Sequence, residues 1–195
     1  KYISRDISKA IRYFTQAANQ NHPGAQYNLG VIYSEGIHIS RDINKAIHYY
    51  SLTASQNIPQ AQYNLGVIYY EGNYISRDIN KAIHYLTLSA NQNHPEAQYI
   101  LGDLYYEGKY IPRDINKAIH YYSLAANQNI AQAQLILGLM YFEGINISKD
   151  IKKGIYLINL ASVNHYYVAH FYVGYFYHKG DYIKKDIRKA IRYYK

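Results

Sequence analysis

The sequence predicts an all-α fold, a solenoid of 36-residue helix–turn–helix repeats, and three observations carry that prediction. The tripeptide Arg-Asp-Ile begins at Arg5, Arg41, Arg77 and Arg113, and Lys-Asp-Ile continues the register at Lys149 and Lys185, every interval being 36 residues. Residues 41–76 match residues 77–112 at 25 of 36 positions, the self-similarity of tandem units. Within each unit the apolar residues recur at helical spacing, and small residues hold fixed places among them.

The register divides the chain into a partial repeat at 1–20 that supplies only a second helix, full repeats at 21–56, 57–92, 93–128 and 129–164, and a truncated repeat at 165–195. These form a single array. Neither end carries the polar capping unit that closes most solenoids, so the array is expected to be part of a longer chain.

One repeat shows how each element is written. Pro59 stands at a helix start, where its missing N–H would be unpaired in any case. Ala61, Leu65, Gly66 and Tyr69 then share one face, and Gly72 follows where a left-handed residue ends a helix. Asp78 is the expected N-cap of the second helix, Ile79, Ala82, Ile83 and Leu86 its apolar stripe, and Asn93 its left-handed terminator. Gly30, Gly66, Gly102, Gly138 and Gly174 lie inside helices, where glycine costs ~1 kcal/mol relative to alanine. Its recurrence implies close helix approach. Ala10, Ala46, Ala82, Ala118 and Ala190 suggest the same for the partner helix, with Gly154 at that place in the fifth unit.

Composition narrows the chemistry. The chain has 195 residues, 27 of them Tyr, with four Phe and neither Trp nor Cys. Disulfides and thiolate metal sites are therefore excluded, without fixing the compartment. No apolar run approaches the ~18 residues of a membrane span. The net charge of +8 is uneven: residues 149–195 carry ten basic against three acidic residues, while residues 21–148 carry seven against nine.

The run Ala61-Gln62-Tyr63-Asn64-Leu65-Gly66-Val67-Ile68-Tyr69-Tyr70-Glu71-Gly72, followed by Asp78-Ile79-Asn80-Lys81-Ala82, closely resembles the Sel-one-like repeat, a relative of the tetratricopeptide repeats. The resemblance covers essentially the whole chain and implies a right-handed α/α superhelix. Three departures concern turns and one aromatic position. The family's second loop glycine is replaced by His38, Tyr74, Tyr110, Asn146 and Tyr182. Its Trp after Lys-Ala is Tyr49, Tyr85 and Tyr121, and its helix-ending Gly is Asn21, Asn57, Asn93 and Asn129.

No converging catalytic constellation, metal-ligand set or phosphate loop is legible, so the expectation is a non-enzyme without cofactor. His48, His84 and His120 recur every 36 residues on a polar face and read as solvated; Glu35, Glu71, Glu107 and Glu143 read likewise as surface charge. Lys9, Lys45, Lys81, Lys117, Lys153 and Lys189 each follow an Asp by three residues, as local ion pairs do. Nucleic acid could be tracked by the basic ends and the tyrosines, but the slightly acidic middle argues against it.

In tetratricopeptide-like solenoids the first helix of each unit lines the concave surface, and the resemblance implies the same here. Four ladders then vary between units on a fixed scaffold: Tyr27, Tyr63, Tyr99, Leu135 and Phe171; Asn28, Asn64, Ile100, Ile136 and Tyr172; Val31, Val67, Asp103, Leu139 and Tyr175; Ser34, Tyr70, Tyr106, Phe142 and His178. The candidate protein-binding residues are Tyr63, Tyr70, Tyr99, Asp103, Tyr106, Ile136, Leu139, Phe142, Phe171, Tyr172 and Tyr175. Helices 131–143 and 166–178 are apolar nearly all round, which a partner or internal packing explains equally well. The expected function is an adaptor that binds a peptide segment or partner helix in its concave groove. The alternative is an architectural subunit of a stable assembly, gripped also through the open solenoid ends.

Overall fold

In the computed structural model the backbone is described for residues 2–195 and the side chains for residues 6–195. Lys1, and the side chain of Arg5 that opens the recurring tripeptide, lie outside the described residues. Among the described residues eleven helices follow one another: α1 Tyr2–Asn19, α2 Pro23–Glu35, α3 Ile43–Ala54, α4 Pro59–Glu71, α5 Ile79–Asn91, α6 Pro95–Glu107, α7 Ile115–Asn127, α8 Ala131–Glu143, α9 Ile151–Val163, α10 Tyr167–Lys179 and α11 Ile187–Tyr193. Among the described residues there is no strand. The all-α helix–turn–helix repeat expected from the sequence is the observed fold. The chain forms two compact units, Lys1–Ala97 and Gln98–Lys195, the division falling within α6.

The caps follow the sequence. Asp42, Asp78, Asp114, Asp150 and Asp186 each accept, through the side chain, the backbone N–H three residues on. The same residues donate their own N–H to the carbonyl of a tyrosine nine residues earlier, as Asp78 does to Tyr69 at 3.0 Å. Both ends of the turn are thus fixed by one residue. Asp6 lies inside α1 instead of capping a helix. Gly72 ends α4 at φ 65°, and Asn93 ends the next helix pair at φ 62°. His38 and Asn146 also hold positive φ, at two of the places where the repeat pattern favours a second loop glycine.

Packing explains the small residues. A Cβ at Gly30, Gly66, Gly102, Gly138 or Gly174 would fall within 3.0 Å of the side chain twenty residues later, respectively Tyr50, Leu86, Tyr122, Ile158 and Tyr194. Between α8 and α9 glycine faces glycine, and an added side-chain atom would meet backbone. A Cβ on Gly154 would lie 2.7 Å from Phe142 N and 2.8 Å from Gly138 O. In the first unit the core gathers Tyr50 and Leu65 with Ala46, Ala54 and Ala61. In the second, one cluster centres on Tyr122, Leu137 and Met140 and another on Leu135, Ile158, Val173 and Phe176.

A polar ladder runs through these cores. Gln26, Gln62, Gln98 and Gln134 are essentially inaccessible to solvent. Each accepts, at 2.6–2.9 Å, an amide N–H from the residue thirty positions later: Gln56, Gln92, Gln128 and Asn164. Gln62 in turn donates to Ala54 O and to Asn57 Oδ1, and Gln134 to Ala126 O. The buried amides are satisfied as burial requires, and they tie a first helix to the ends of the second helices before and after it.

The lysines after the capping aspartates pair as expected at three positions, Lys45–Asp42, Lys81–Asp78 and Lys117–Asp114, at 3.3–3.6 Å. These exposed pairs contribute little. The same ammonium groups stand over tyrosine rings of the preceding helix, about 5 Å away: Lys45 over Tyr33, Lys81 over Tyr69, Lys117 over Tyr105. Lys153 approaches its ring, Tyr141, to 4.0 Å and donates to that hydroxyl at 2.7 Å.

Candidate functional site

The first helices carry the variable positions, and in the second unit these converge on a cavity of about 470 Å³. Its walls are Tyr99, Asp103, Tyr106 and Glu107 of α6, Tyr122 of α7, Ile136, Leu139, Met140 and Glu143 of α8, and Ile145 beyond it. Five of the eleven sequence candidates, Tyr99, Asp103, Tyr106, Ile136 and Leu139, therefore share one concavity. Helical spacing puts them there: positions i, i+4 and i+7 of α6 form one face, and i and i+3 of α8 form the other.

Asp103 is the unusual residue. Its register position holds Val31 and Val67 in earlier units and Leu139 in the next. Tyr122 is 1% exposed and donates its hydroxyl to Asp103 Oδ1 at 2.7 Å. Burial raises the Asp103 carboxyl pKa above the usual carboxylate range; hydrogen bonds from Tyr122 and Tyr99 oppose this, and Glu107 reinforces it. Burial, followed by the Asp103 charge, pushes both the Tyr122 and Tyr99 hydroxyls well above the ordinary tyrosine value. In the first unit the same inward tyrosine, Tyr50, shares its hydroxyl hydrogen bond with neutral Ser34 at 3.2 Å, and burial raises its pKa to about 12.

A carboxyl whose pKa rises on folding stabilises the folded state fully only below its ordinary range, and loses that contribution as pH rises through the raised folded value. Asp103→Asn keeps an acceptor for Tyr122 and removes the charge. The variant is expected to melt higher than the parent at pH 7, with the gap closing as pH falls through the raised folded value toward roughly 4. Thermal melts across that range check it; a constant gap would assign the effect to packing.

The other candidates are distributed. Phe142 is half-buried between Phe176, at 5.1 Å between ring centres, and Tyr182, at 5.0 Å edge-on. Tyr172 packs on the cluster around Ile158 and Val173. Phe171 and Tyr175 are exposed and, with Tyr167 at 78% exposure, form an i, i+4, i+8 aromatic stripe on α10. In the first unit Tyr63 of α4 stacks on His94 at 4.6 Å, with its hydroxyl pKa raised by burial, and Tyr70 is half-buried on the same helix. The apolar circumference of α8 is mostly internal packing: Leu135 joins one cluster while Leu137 and Met140 join the other. Ile136 and Leu139 are half-buried, pack against the two clusters and also line the cavity beside Met140 and Glu143.

His48, His84 and His120 are exposed, each with its ring edge-on to the following tyrosine, and the row of Glu35, Glu71, Glu107 and Glu143 is exposed as well. No helix among the described residues is long and apolar enough to cross a membrane. The buried glutamine ladder was not singled out by sequence reasoning, although the recurring Ala-Gln-Tyr in three units and Ala-Gln-Leu in the fourth marked its place.

Comparison with known proteins places these features. The family model of the Sel1 repeat matches residues 1–22, 23–58, 59–94, 95–130, 131–162 and 168–195. Among solved structures, a Sel1 repeat protein from Oxalobacter formigenes is 32% identical, with a TM-score of 0.87 over 95% of this chain and 76% of that one. A protective antigen of uropathogenic Escherichia coli with an SLR fold is 29% identical, with a TM-score of 0.62 over 94% of this chain and 47% of its own. Helicobacter pylori cysteine rich protein B is 29% identical, with a TM-score of 0.53 over 66% of this chain and 92% of its own. The present chain has no cysteine, so the likeness to that protein lies in helix packing. No curated protein matches the chain.

Proposed function

This chain belongs to the Sel1 repeat family, whose members generally mediate protein–protein interactions on a non-catalytic scaffold, and from that premise we propose that it is an adaptor holding an extended segment or helix of a partner protein against α6 and α8. The observation that carries the reading is the cavity itself. Most of its wall positions change chemistry from repeat to repeat, while Gly30, Gly66, Gly102, Gly138 and Gly174 stay fixed and the buried glutamine holds through four repeats. Tyrosine side chains around an apolar floor supply large contact area at little entropic cost, the composition of binding hot spots.

A second reading, a subunit of a stable assembly, is favoured by the exposed stripe Tyr167, Phe171 and Tyr175 with Tyr194 beside it. A random peptide library displayed against the whole chain separates the two. Selected peptides are expected to lose at least ~10-fold in affinity for a Tyr106→Ala/Leu139→Ala variant whose circular dichroism is unchanged, since hot-spot truncations cost ~2 kcal/mol each. Unchanged affinity for that variant, with loss in Phe171→Ala/Tyr175→Ala, would remove the groove and favour the assembly reading.

A further inference from the structure

The cavity in the second unit has a counterpart in the first, two repeats earlier in register. That one, of about 330 Å³, is lined by Ser34, Tyr50, Asn64, Val67, Ile68 and Glu71, which correspond to Tyr106, Tyr122, Ile136, Leu139, Met140 and Glu143. It differs in one respect that bears on a ligand: its own lining includes a guanidinium. Arg41 reaches over the ring of Tyr74 at 4.5 Å, donates to the Tyr74 hydroxyl, and donates to Glu35 O at 3.3 Å.

In the second unit the residue equivalent to Tyr74 is Asn146, held at positive φ. Arg113, equivalent to Arg41, instead lies over Tyr106 at 5.4 Å and donates Nε to Tyr106 O, outside the lining set. The lining now has no basic residue and three carboxylates, Asp103, Glu107 and Glu143. The cavity is also larger. A serine in place of Tyr106 would satisfy the buried tyrosine hydroxyl without charge, as Ser34 does for Tyr50. Satisfying Tyr122 therefore does not account for a carboxylate at a place that elsewhere takes valine, leucine or tyrosine.

We propose that this cavity receives the side chain of an arginine from the partner segment, its guanidinium paired with the Asp103 carboxylate and flanked by the rings of Tyr99 and Tyr106, its methylenes on Ile136 and Leu139. The stacking of a guanidinium on tyrosine is that of Arg41 over Tyr74, here supplied in trans, while the Asp103 carboxylate has no counterpart at Val31. A planar guanidinium suits it better than an ammonium, because it can pair with a carboxylate through two N–H groups and stack on tyrosine at once. The stability gain expected for Asp103→Asn is the mark of a residue kept for binding. The proposal rests on the groove reading above and adds the identity of the anchor.

The test uses the whole chain labelled with ¹⁵N and titrated with N-acetyl-arginine amide, N-acetyl-citrulline amide and N-acetyl-lysine amide. Saturable shifts of backbone amides in 99–107 and 136–143 are expected with the arginine compound. Citrulline, which keeps the shape and loses the charge, is expected to bind at least ~10-fold more weakly, equivalent to about 1.4 kcal/mol. Asp103→Asn and Asp103→Val should each abolish the difference, the second carrying the residue found at Val31 and Val67 and so keeping the packing. Equal shifts with citrulline, equal shifts with the lysine compound, or full binding by both variants would overturn the assignment. The groove reading fails separately: display-selected peptides that need Tyr106 and Leu139, yet are indifferent to citrulline in place of arginine, would sink the arginine anchor alone.

Discussion

Gly154→Ala is expected to lower stability by about 2–3 kcal/mol. Alanine would ordinarily gain up to ~1 kcal/mol in a helix, so the sign itself is informative. The new Cβ would meet backbone, Phe142 N at 2.7 Å and Gly138 O at 2.8 Å, and backbone cannot rotate away. Either α8 and α9 separate, forfeiting contacts among Leu135, Ile158 and Val173, or the helix bends. Gly66→Ala meets chiefly the Leu86 side chain, Cγ at 2.7 Å and Cδ2 at 2.9 Å, with backbone only at 3.2 Å, and should cost less. Gly24→Ala meets only the His22 ring, at 3.2 Å, and should be near neutral. Urea midpoints measured by circular dichroism should therefore rank Gly24→Ala above Gly66→Ala above Gly154→Ala. Equal midpoints would mean the glycine slots do not set the helix spacing.

Gln62→Glu should cost about 3 kcal/mol at neutral pH despite being isosteric. In the native protein the Gln62 amide nitrogen donates to Ala54 O and Asn57 Oδ1, two acceptors. A carboxylate oxygen there faces both with no proton, at a site 1% exposed. The bond from Gln92 to Gln62 Oε1, at 2.7 Å, would survive and offset part of the cost. The sign with pH follows from burial: the introduced carboxyl has its pKa raised on folding, so its protonated form, which can donate, restores stability below roughly 4. That stability is lost as pH rises through the folded value. Gln62→Leu, which removes both the donor and the acceptor, should be the milder change. Thermal melts at acid and neutral pH decide it. A pH-independent loss would point to packing rather than to the ladder.

How much of this was legible beforehand differs by feature. The 36-residue period, the aspartate caps, the left-handed asparagines and the glycine slots were readable, because each is a local demand that recurs at the same register. The glutamine ladder was not read from its equally regular recurrence, since a buried amide looks like a surface one until its partner thirty residues away is known. The lysines were read as partners of aspartate three residues earlier, and three of them are. That they also stand over tyrosine rings depends on how two helices dock, and sequence spacing alone does not encode docking. The apolar α8 was ambiguous between packing and binding. The structure buries Leu135, Leu137 and Met140 in the cores, while Ile136 and Leu139 are half-buried, packing against those cores and lining the cavity together with Met140. Phe142 was grouped with the groove because it shares a ladder with Tyr106, but the aromatic rings of Phe176 and Tyr182 lie against it. Asp103 stood out as one polar residue in an otherwise mainly apolar ladder. Its pairing with Tyr122 was not legible, because the two lie on different helices.

The central claim is that a partner lies against α6 and α8. Hydrogen–deuterium exchange of the whole chain, alone and saturated with a display-selected peptide, addresses it most directly. The account predicts slowed exchange confined to residues 99–107 and 131–145, and loss of that protection in Tyr106→Ala/Leu139→Ala. Protection concentrated instead on residues 167–179 and 187–194, with 99–107 unchanged, would contradict it and move the binding surface to the aromatic stripe of α10.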